Sequence, residues 1–223
     1  MRVIFAGTPE VAVPSLERLA RSQHEVVAVL TRAAAPAGRG RVLVASAVEQ
    51  SARDLGIPVI TSRPRDPGFV EHLREFRPEC CPVVAYGELL QADVLAVPAR
   101  GWINLHFSLL PHWRGAAPVQ AAVRHGDDVT GATTFLLDDG MDTGPILGQV
   151  VETIRPTDTS GDLLSRLATS GAELLVRTID AWESGMLTPQ AQQSDLATYA
   201  PRIGVDDARI DWSVPAIGVD RLN

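Results

Sequence analysis

The chain has 223 residues, 45% hydrophobic and 21% charged. That balance fits one large globular domain, or one with a small appendage, and excludes a disordered or collagen-like sequence. No apolar run approaches the roughly 18 residues of a membrane helix, and none has the layout of a secretory signal, so a soluble, cytoplasmic protein is expected. The net charge is −7, all 20 basic residues are Arg, and the two cysteines are neighbours, Cys80 and Cys81. Adjacent cysteines supply neither a disulfide framework nor a CxxC metal site.

In chain order, residues 2–6 and 25–31 are β-branched runs of strand length. Between them, residues 11–22 place Leu16, Leu19 and Ala20 on one helical face. Residues 45–55 read as a second helix, 56–60 as a short third strand, 67–76 as a third helix and 80–85 as a fourth strand. Strand–helix alternation over short links predicts an α/β fold: a Rossmann-like, doubly wound, mostly parallel sheet with helices on both faces. Farther on, 102–107 reads as a strand and 116–124 as a helix. Residues 129–137 and 146–154 form two more strands around an Asp/Gly-rich connection, and 163–182 a long amphipathic helix. From Thr188 the pattern gives way to polar, Pro-interrupted chain. Residues 33–41, rich in Gly, Pro and Arg, form a loop long enough to suggest function. Asp211-Trp212-Ser213-Val214-Pro215 reads as a helix start with Ser213 as N-cap, and the chain stops ten residues after Ser213, inside an expected element.

Charge is unevenly distributed. From Arg32 to Arg65 six Arg stand against Glu49 and Asp54, a net of +4; from Pro67 onward eleven Arg and twenty-one acids give −10. A polyanion, if one binds, touches the basic segment.

Most standard chemistry-bearing motifs are absent: there is no GxSxG elbow, Walker A loop, HExxH or paired CxxC. After the first strand stands Gly7-Thr8-Pro9-Glu10 and not the glycine fingerprint of a dinucleotide site. Function must therefore be sought at another strand end. The strand that opens Trp102-Ile103-Asn104-Leu105-His106-Phe107-Ser108 offers one. Residues two apart share a face, so Asn104, His106 and Ser108 are predicted to point together, opposite Ile103, Leu105 and Phe107. Polar groups on an apolar central strand are expensive unless they meet water, a ligand or a hydrogen-bonded core partner. The second candidate is the Asp138-Asp139-Gly140-Met141-Asp142-Thr143-Gly144 connection. It could be a plain turn or suggest a calcium loop, but the EF-hand spacing is not met. A carboxylate held there could instead pair with His106, although spacing alone does not establish the pairing.

Asn104-Leu105-His106 with Ser108-Leu109-Leu110-Pro111, then Trp113-Arg114-Gly115-Ala116-Ala117-Pro118 and Asp142-Thr143-Gly144, resembles the folate-dependent formyltransferases. Phe5 to Glu10, Pro36-Ala37-Gly38-Arg39-Gly40, Val84-Ala85-Tyr86-Gly87 and Ala197 to Pro201 extend the resemblance over essentially the whole chain. It implies transfer of a formyl group from 10-formyltetrahydrofolate to the amino group of methionyl-initiator tRNA, with no metal. By this resemblance Asn104 donates to the developing oxyanion. His106, paired with Asp142, supplies a second donor and protonates the leaving nitrogen, and Asp142, directly or through water, takes the proton of the attacking amine. Ser108, Leu109, Leu110 and Pro111 with Val84, Ala85, Tyr86 and Gly87 are expected to wrap the pterin, and Arg39 and Arg41 to reach the tRNA.

Two departures bear on the tRNA loop. The family usually carries two basic residues after Gly40, whereas Arg41 is followed by Val42, and Ala33 to Ala35 replace a usual Pro-Asp-Arg. Phe107 and His112 also differ from the commonest family residues. The resemblance further implies a formyl-transfer domain at 1–187. Residues 188–223 would be a linker and the start of a smaller tRNA-binding domain, and the protein a monomer. A sugar-nucleotide or glycinamide-ribonucleotide N-formyltransferase uses the same three residues, but Trp113 to Pro118 and the Arg loop count against it. A catalytically dead binding module would not need all three, and a NAD-binding domain would carry the missing glycines.

Overall fold

The computed structural model describes residues 1–37 and 42–221. Its first half runs β1 (Arg2–Gly7), α1 (Val13–Ala20), β2 (Glu25–Leu30), β3 (Ala35–Ala37), β4 (Val42–Val44), α2 (Ala47–Asp54), β5 (Val59–Ile60), α3 (Phe69–Glu75), β6 (Cys81–Val84) and α4 (Ala92–Leu95). There follow β7 (Trp102–His106), β8 (Arg114–Gly115), α5 (Pro118–His125), β9 (Val129–Leu136), β10 (Ile146–Thr153), α6 (Ser160–Glu183), β11 (Tyr199–Ala200) and α7 (Ala216–Asp220). Seven strands make one sheet in the order β10-β9-β7-β6-β1-β2-β5. The five from β5 to β7 are parallel, and β9 and β10 add antiparallel at one edge. This is the mostly parallel, doubly wound sheet that the alternation predicts.

Period-two alternation sorts the side chains into two cores. Val3 and Phe5 of β1 with Ile103 and Leu105 of β7 pack on one face, against Leu16 and Leu19 of α1 and Leu163, Leu167 and Leu175 of α6. Ile4 and Ala6, with Leu30, Val83 and Trp102, pack on the other against Phe69 and Leu73 of α3 and Val94 of α4. The buried Trp102 donates its indole N–H to Val94 O at 3.0 Å, as a buried indole requires. α6 starts at a capping box, Thr159 and Asp162 each accepting from the other's backbone N–H. No helix among the described residues is long and apolar enough to cross a membrane.

Several boundaries differ from expectation for local reasons. A 3₁₀ turn at Glu10–Ala12 precedes α1, with Pro14 in the first turn where its missing N–H is harmless. Within the expected loop at 33–41, Ala35–Ala37 instead form β3, which pairs antiparallel with β4 (Ala35 opposite Val44). Ser213 is not an N-cap: its hydroxyl donates to Asp211 Oδ1 at 2.6 Å, and α7 begins later, after Pro215. The stretch after Thr188 is irregular but anchored. Gln190 and Ile146 exchange backbone bonds of 2.8 and 2.9 Å, and β11 lies parallel to β8.

Cys80 and Cys81 are fully buried, and burial pushes Cys80 up to about 12 and Cys81 upward as well. The thiolate is the reacting form, so at about pH 8 the native protein is expected to resist an aromatic disulfide reagent and to titrate both thiols once denatured. Prompt reaction of the native protein would show that β6 opens readily.

Candidate active site

β6 and β7 run in parallel, with Val83 opposite Asn104, and end beside each other. Ligands of open α/β sheets bind beyond the carboxyl ends of the strands, and here that space is a cavity of about 860 Å³. Such a volume lies within the usual range of small-molecule sites, about 300–1,000 Å³. β7 supplies Asn104 and His106 on the face that carries Trp102. Trp102 is covered by α3 and α4, whereas Asn104 and His106 lie past that cover and line the cavity. Leu105, one residue out of phase, packs in the opposite core.

The β9–β10 connection brings Asp138 to Asp142 to the same cavity. Asp138 Oδ1 accepts from Gly140 N (3.0 Å) and Thr143 Oγ1 (2.7 Å), which folds the connection into a tight turn. Asp142 Oδ2 accepts from Gly115 N at 2.8 Å and stands 3.7 Å from His106 Nδ1. On the far side of the ring, His106 Nε2 meets Trp113 O at 2.8 Å. A carbonyl only accepts, so Nε2 carries the hydrogen and Nδ1 is the nitrogen that faces Asp142. His106 is 6% exposed and the Asp142 side chain 15%: the pair is sheltered but reachable.

Four described non-glycine residues have positive φ, and three border this site: Ala85 (47°), Trp113 (57°) and Asp142 (54°). Each such conformation costs about 1–3 kcal/mol and persists where surrounding contacts over-determine it. The contacts are visible for Trp113, whose N–H donates to Thr198 Oγ1 (2.8 Å) and whose indole donates to Asp127 Oδ2 (2.7 Å).

The structure brings Asn104, His106 and Asp142 to one cavity, together with Ala85, Tyr86 and Gly87. Val84, the last residue of β6, is fully buried. β7 ends at His106, so the strand alternation stops there. Ser108 is fully buried, its hydroxyl donating to His112 O at 2.5 Å. The Ser108 carbonyl accepts from Thr133 Oγ1 (2.6 Å). Leu110 N donates to Thr133 Oγ1 (3.1 Å), and Leu110 O accepts from Gln149 Nε2 (3.0 Å). Ser108, Leu109, Leu110 and Pro111 thus sit behind the cavity, outside its lining. Arg39 and Arg41 lie outside the described residues. Among the described residues no cluster of three or more His, Cys, Asp or Glu is arranged to hold a metal ion.

Sequence reasoning missed Gly115 as the donor to Asp142, and the exposed apolar rim of Leu89 and Met141. It also missed Arg202 and Ile203, which reach the cavity from the tail. Gly115 lies within the quoted Trp113 to Pro118 motif; the tail residues give no signal in pattern or spacing.

An amide, an imidazole and a carboxylate around one cavity suit acyl-type transfer, where an oxyanion is stabilised and protons are moved. The chain belongs to the formyl transferase family, which matches it over residues 1–179. Two individual relatives span it completely. It is 60% identical over 224 residues to the methionyl-tRNA formyltransferase of Streptomyces coelicolor, and 60% identical over 223 residues to that of Thermobifida fusca. Each alignment covers 100% of this chain and 72% of the relative. The fold also matches solved structures. An N-formyltransferase from Helicobacter canadensis, in complex with folinic acid and dTDP-3-aminofucose, has a TM-score of 0.76 at 20% identity, covering 99% of this chain and 78% of that one. A glycinamide ribonucleotide transformylase from Symbiobacterium toebii has a TM-score of 0.72 at 19% identity, covering 86% and 94%.

Proposed function

We propose that this chain transfers the formyl group of 10-formyltetrahydrofolate to the α-amino group of methionyl-initiator tRNA. The observation that carries this reading is 60% identity, across the whole chain, to methionyl-tRNA formyltransferases. The convergence of Asn104, His106 and Asp142 on one cavity supports it.

In this reading the amine attacks the formyl carbon, a tetrahedral oxyanion forms, and the C–N bond to the folate breaks. Asn104 donates its side-chain N–H to the oxyanion, an interaction of about 3–4 kcal/mol where measured in comparable sites. Asp142 accepts the proton that the attacking amine loses. His106, with Nε2–H tied to Trp113 O, works through Nδ1, which takes up the proton that Asp142 has accepted, donates it in a hydrogen bond to the oxyanion and then delivers it to the departing folate nitrogen. The wall formed by Ala85, Tyr86 and Gly87, with Leu90 and Leu95, offers backbone polar groups and apolar area to a flat heterocycle. The reacting groups Asn104, His106 and Asp142 belong to a formyl-transfer domain at 1–187, while 188–223 form a linker and the start of a tRNA-binding domain, with the first part of that linker packed against the site. The enzyme acts as a cytoplasmic monomer.

Incubating the chain with 10-formyltetrahydrofolate and methionyl-tRNA, then releasing the amino acid for mass spectrometry, is expected to give N-formylmethionine. An amino-sugar nucleotide and glycinamide ribonucleotide serve as competing acceptors; formylation of either, with methionyl-tRNA untouched, overturns the assignment.

The basic segment offers a separate check. Arg39→Ala is expected to weaken tRNA binding and to lower the slope of its salt dependence by about one contact. Folate binding should stay unchanged. Loss of folate and tRNA together would make the loop structural.

A further inference from the structure

Gln192 reaches the site from the tail, and its side-chain amide uses its whole hydrogen-bonding capacity there. Nε2 donates to Asp142 O (2.8 Å) and Gly144 O (2.7 Å). Oε1 accepts from Arg114 Nε (3.0 Å) and Nη2 (2.7 Å). An amide has two N–H groups and a carbonyl with two lone pairs, so nothing is left over. The orientation is also unambiguous. Carbonyls only accept and a guanidinium only donates, so a flipped amide would oppose like groups at all four contacts.

Asp142 is consequently held at two points. Its carboxylate is gripped by Gly115 N–H and its carbonyl by Gln192 Nε2. Both grips refer to β8, because Gly115 belongs to it and its neighbour Arg114, only 2% exposed, holds the other end of Gln192. Gln192 is itself placed between two anchors, the Gln190–Ile146 bridge and the β11–β8 pairing. A left-handed Asp142 at φ 54° needs such restraint.

We infer that Gln192 is a positioning residue for formyl transfer, holding the Asp142 turn so that the carboxylate stays opposite His106 Nδ1. The inference rests on the proposed role of Asp142; Gln192 acts through that residue and touches no reacting atom.

Gln192→Glu separates positioning from mere attachment of the tail. Glutamate keeps the length and gains an ion pair with Arg114, so the tail stays fastened. It has no N–H for the two turn carbonyls, so the turn is released. The expected result is a kcat lower by about 10- to 100-fold, the scale of a misplacement of about 1 Å. KM for 10-formyltetrahydrofolate should be unchanged and the thermal midpoint lower by no more than about 5 °C, the two lost hydrogen bonds being partly offset by the ion pair. Added to Asp142→Asn, the same substitution should bring no further loss, since residues acting as a unit are not additive. Gln192→Met, apolar and of similar length, stands in should the glutamate variant not fold; it also strips the buried Arg114 of its acceptor, so a lower thermal midpoint is expected with it, beside the same drop in kcat and the same lack of further loss on Asp142→Asn. A folded variant with wild-type kcat overturns the inference, and so does a loss that persists in full beside Asp142→Asn. Failure of the underlying reading looks different: Asp142→Asn alone would then turn over like wild type, and the inference would fall with it.

Discussion

Alanine at Asn104, His106 or Asp142 is expected to lower the formyl-transfer rate by orders of magnitude while leaving the fold intact. The Asn104 amide lines the cavity on a strand buried on its other face, so truncation removes a donor without disturbing the core. Loss of one such donor costs about 10²–10³ in rate. His106 and Asp142 move protons, and a positioned acid or base contributes about 10²–10⁴. The three should not be independent. Asp142 Oδ2 stands 3.7 Å from His106 Nδ1, so removing either disarms the other, and double variants should be little worse than singles. Single-turnover formylation at saturating folate measures the effect, with circular dichroism to verify the fold. Wild-type turnover in Asp142→Ala would remove the proposed proton acceptor and end this mechanism.

Much of the architecture was legible because burial on both faces of a parallel sheet writes itself into the sequence. β1 and β2 are continuous apolar runs, and the stripe of Leu163, Leu167, Leu175 and Ile179 on α6 marks the face that packs against the sheet. Two of the three polar residues read onto one face of this strand were legible for the same reason: period two puts Asn104 and His106 together, and the structure does so. The period fails at Ser108 because the strand ends at His106, a boundary that no local pattern marks.

What stayed hidden depends on contacts between distant residues. Gln192 bonds to Asp142 across 50 positions and to Arg114 across 78. It lies in a polar stretch whose composition reads as solvated linker. Gly115 is similar: the sequence shows a glycine in a motif, and only the fold shows its N–H aimed at a carboxylate 27 residues on. The pairing of β3 with β4 was hidden by Gly, Pro and Arg, residues that predict loop regardless of what pairs beside them.

Gly144→Ala is expected to be among the most damaging single substitutions in the chain, although it adds one methyl group. A Cβ at Gly144 would run into the carbonyl oxygen of Leu136 and lie 3.0 Å from its carbonyl carbon. Both atoms are backbone, and Leu136 is fixed from the other side, donating its N–H to Pro145 O at 3.0 Å and pairing with Ile103 of β7. No side-chain rotation can make room, so the turn must open or the end of β9 must leave the sheet. The Gly144 carbonyl would also move away from Gln192 Nε2. The expected loss is about 3–5 kcal/mol, the upper end for single substitutions, read as a lower denaturant midpoint at unchanged slope. Residual folded protein should also be slow in formyl transfer, because Asp142 is two residues away on the same turn. Gly140→Ala is the control. The nearest atoms to its added Cβ all belong to the Thr143 side chain; rotating the hydroxyl away costs its bond to Asp138, about 1 kcal/mol, and Thr143 Cβ at 3.0 Å needs only a small shift. If Gly144→Ala were as mild as Gly140→Ala, the β9–β10 turn would be free to reshape, and the placement of Asp142 would have to be set elsewhere.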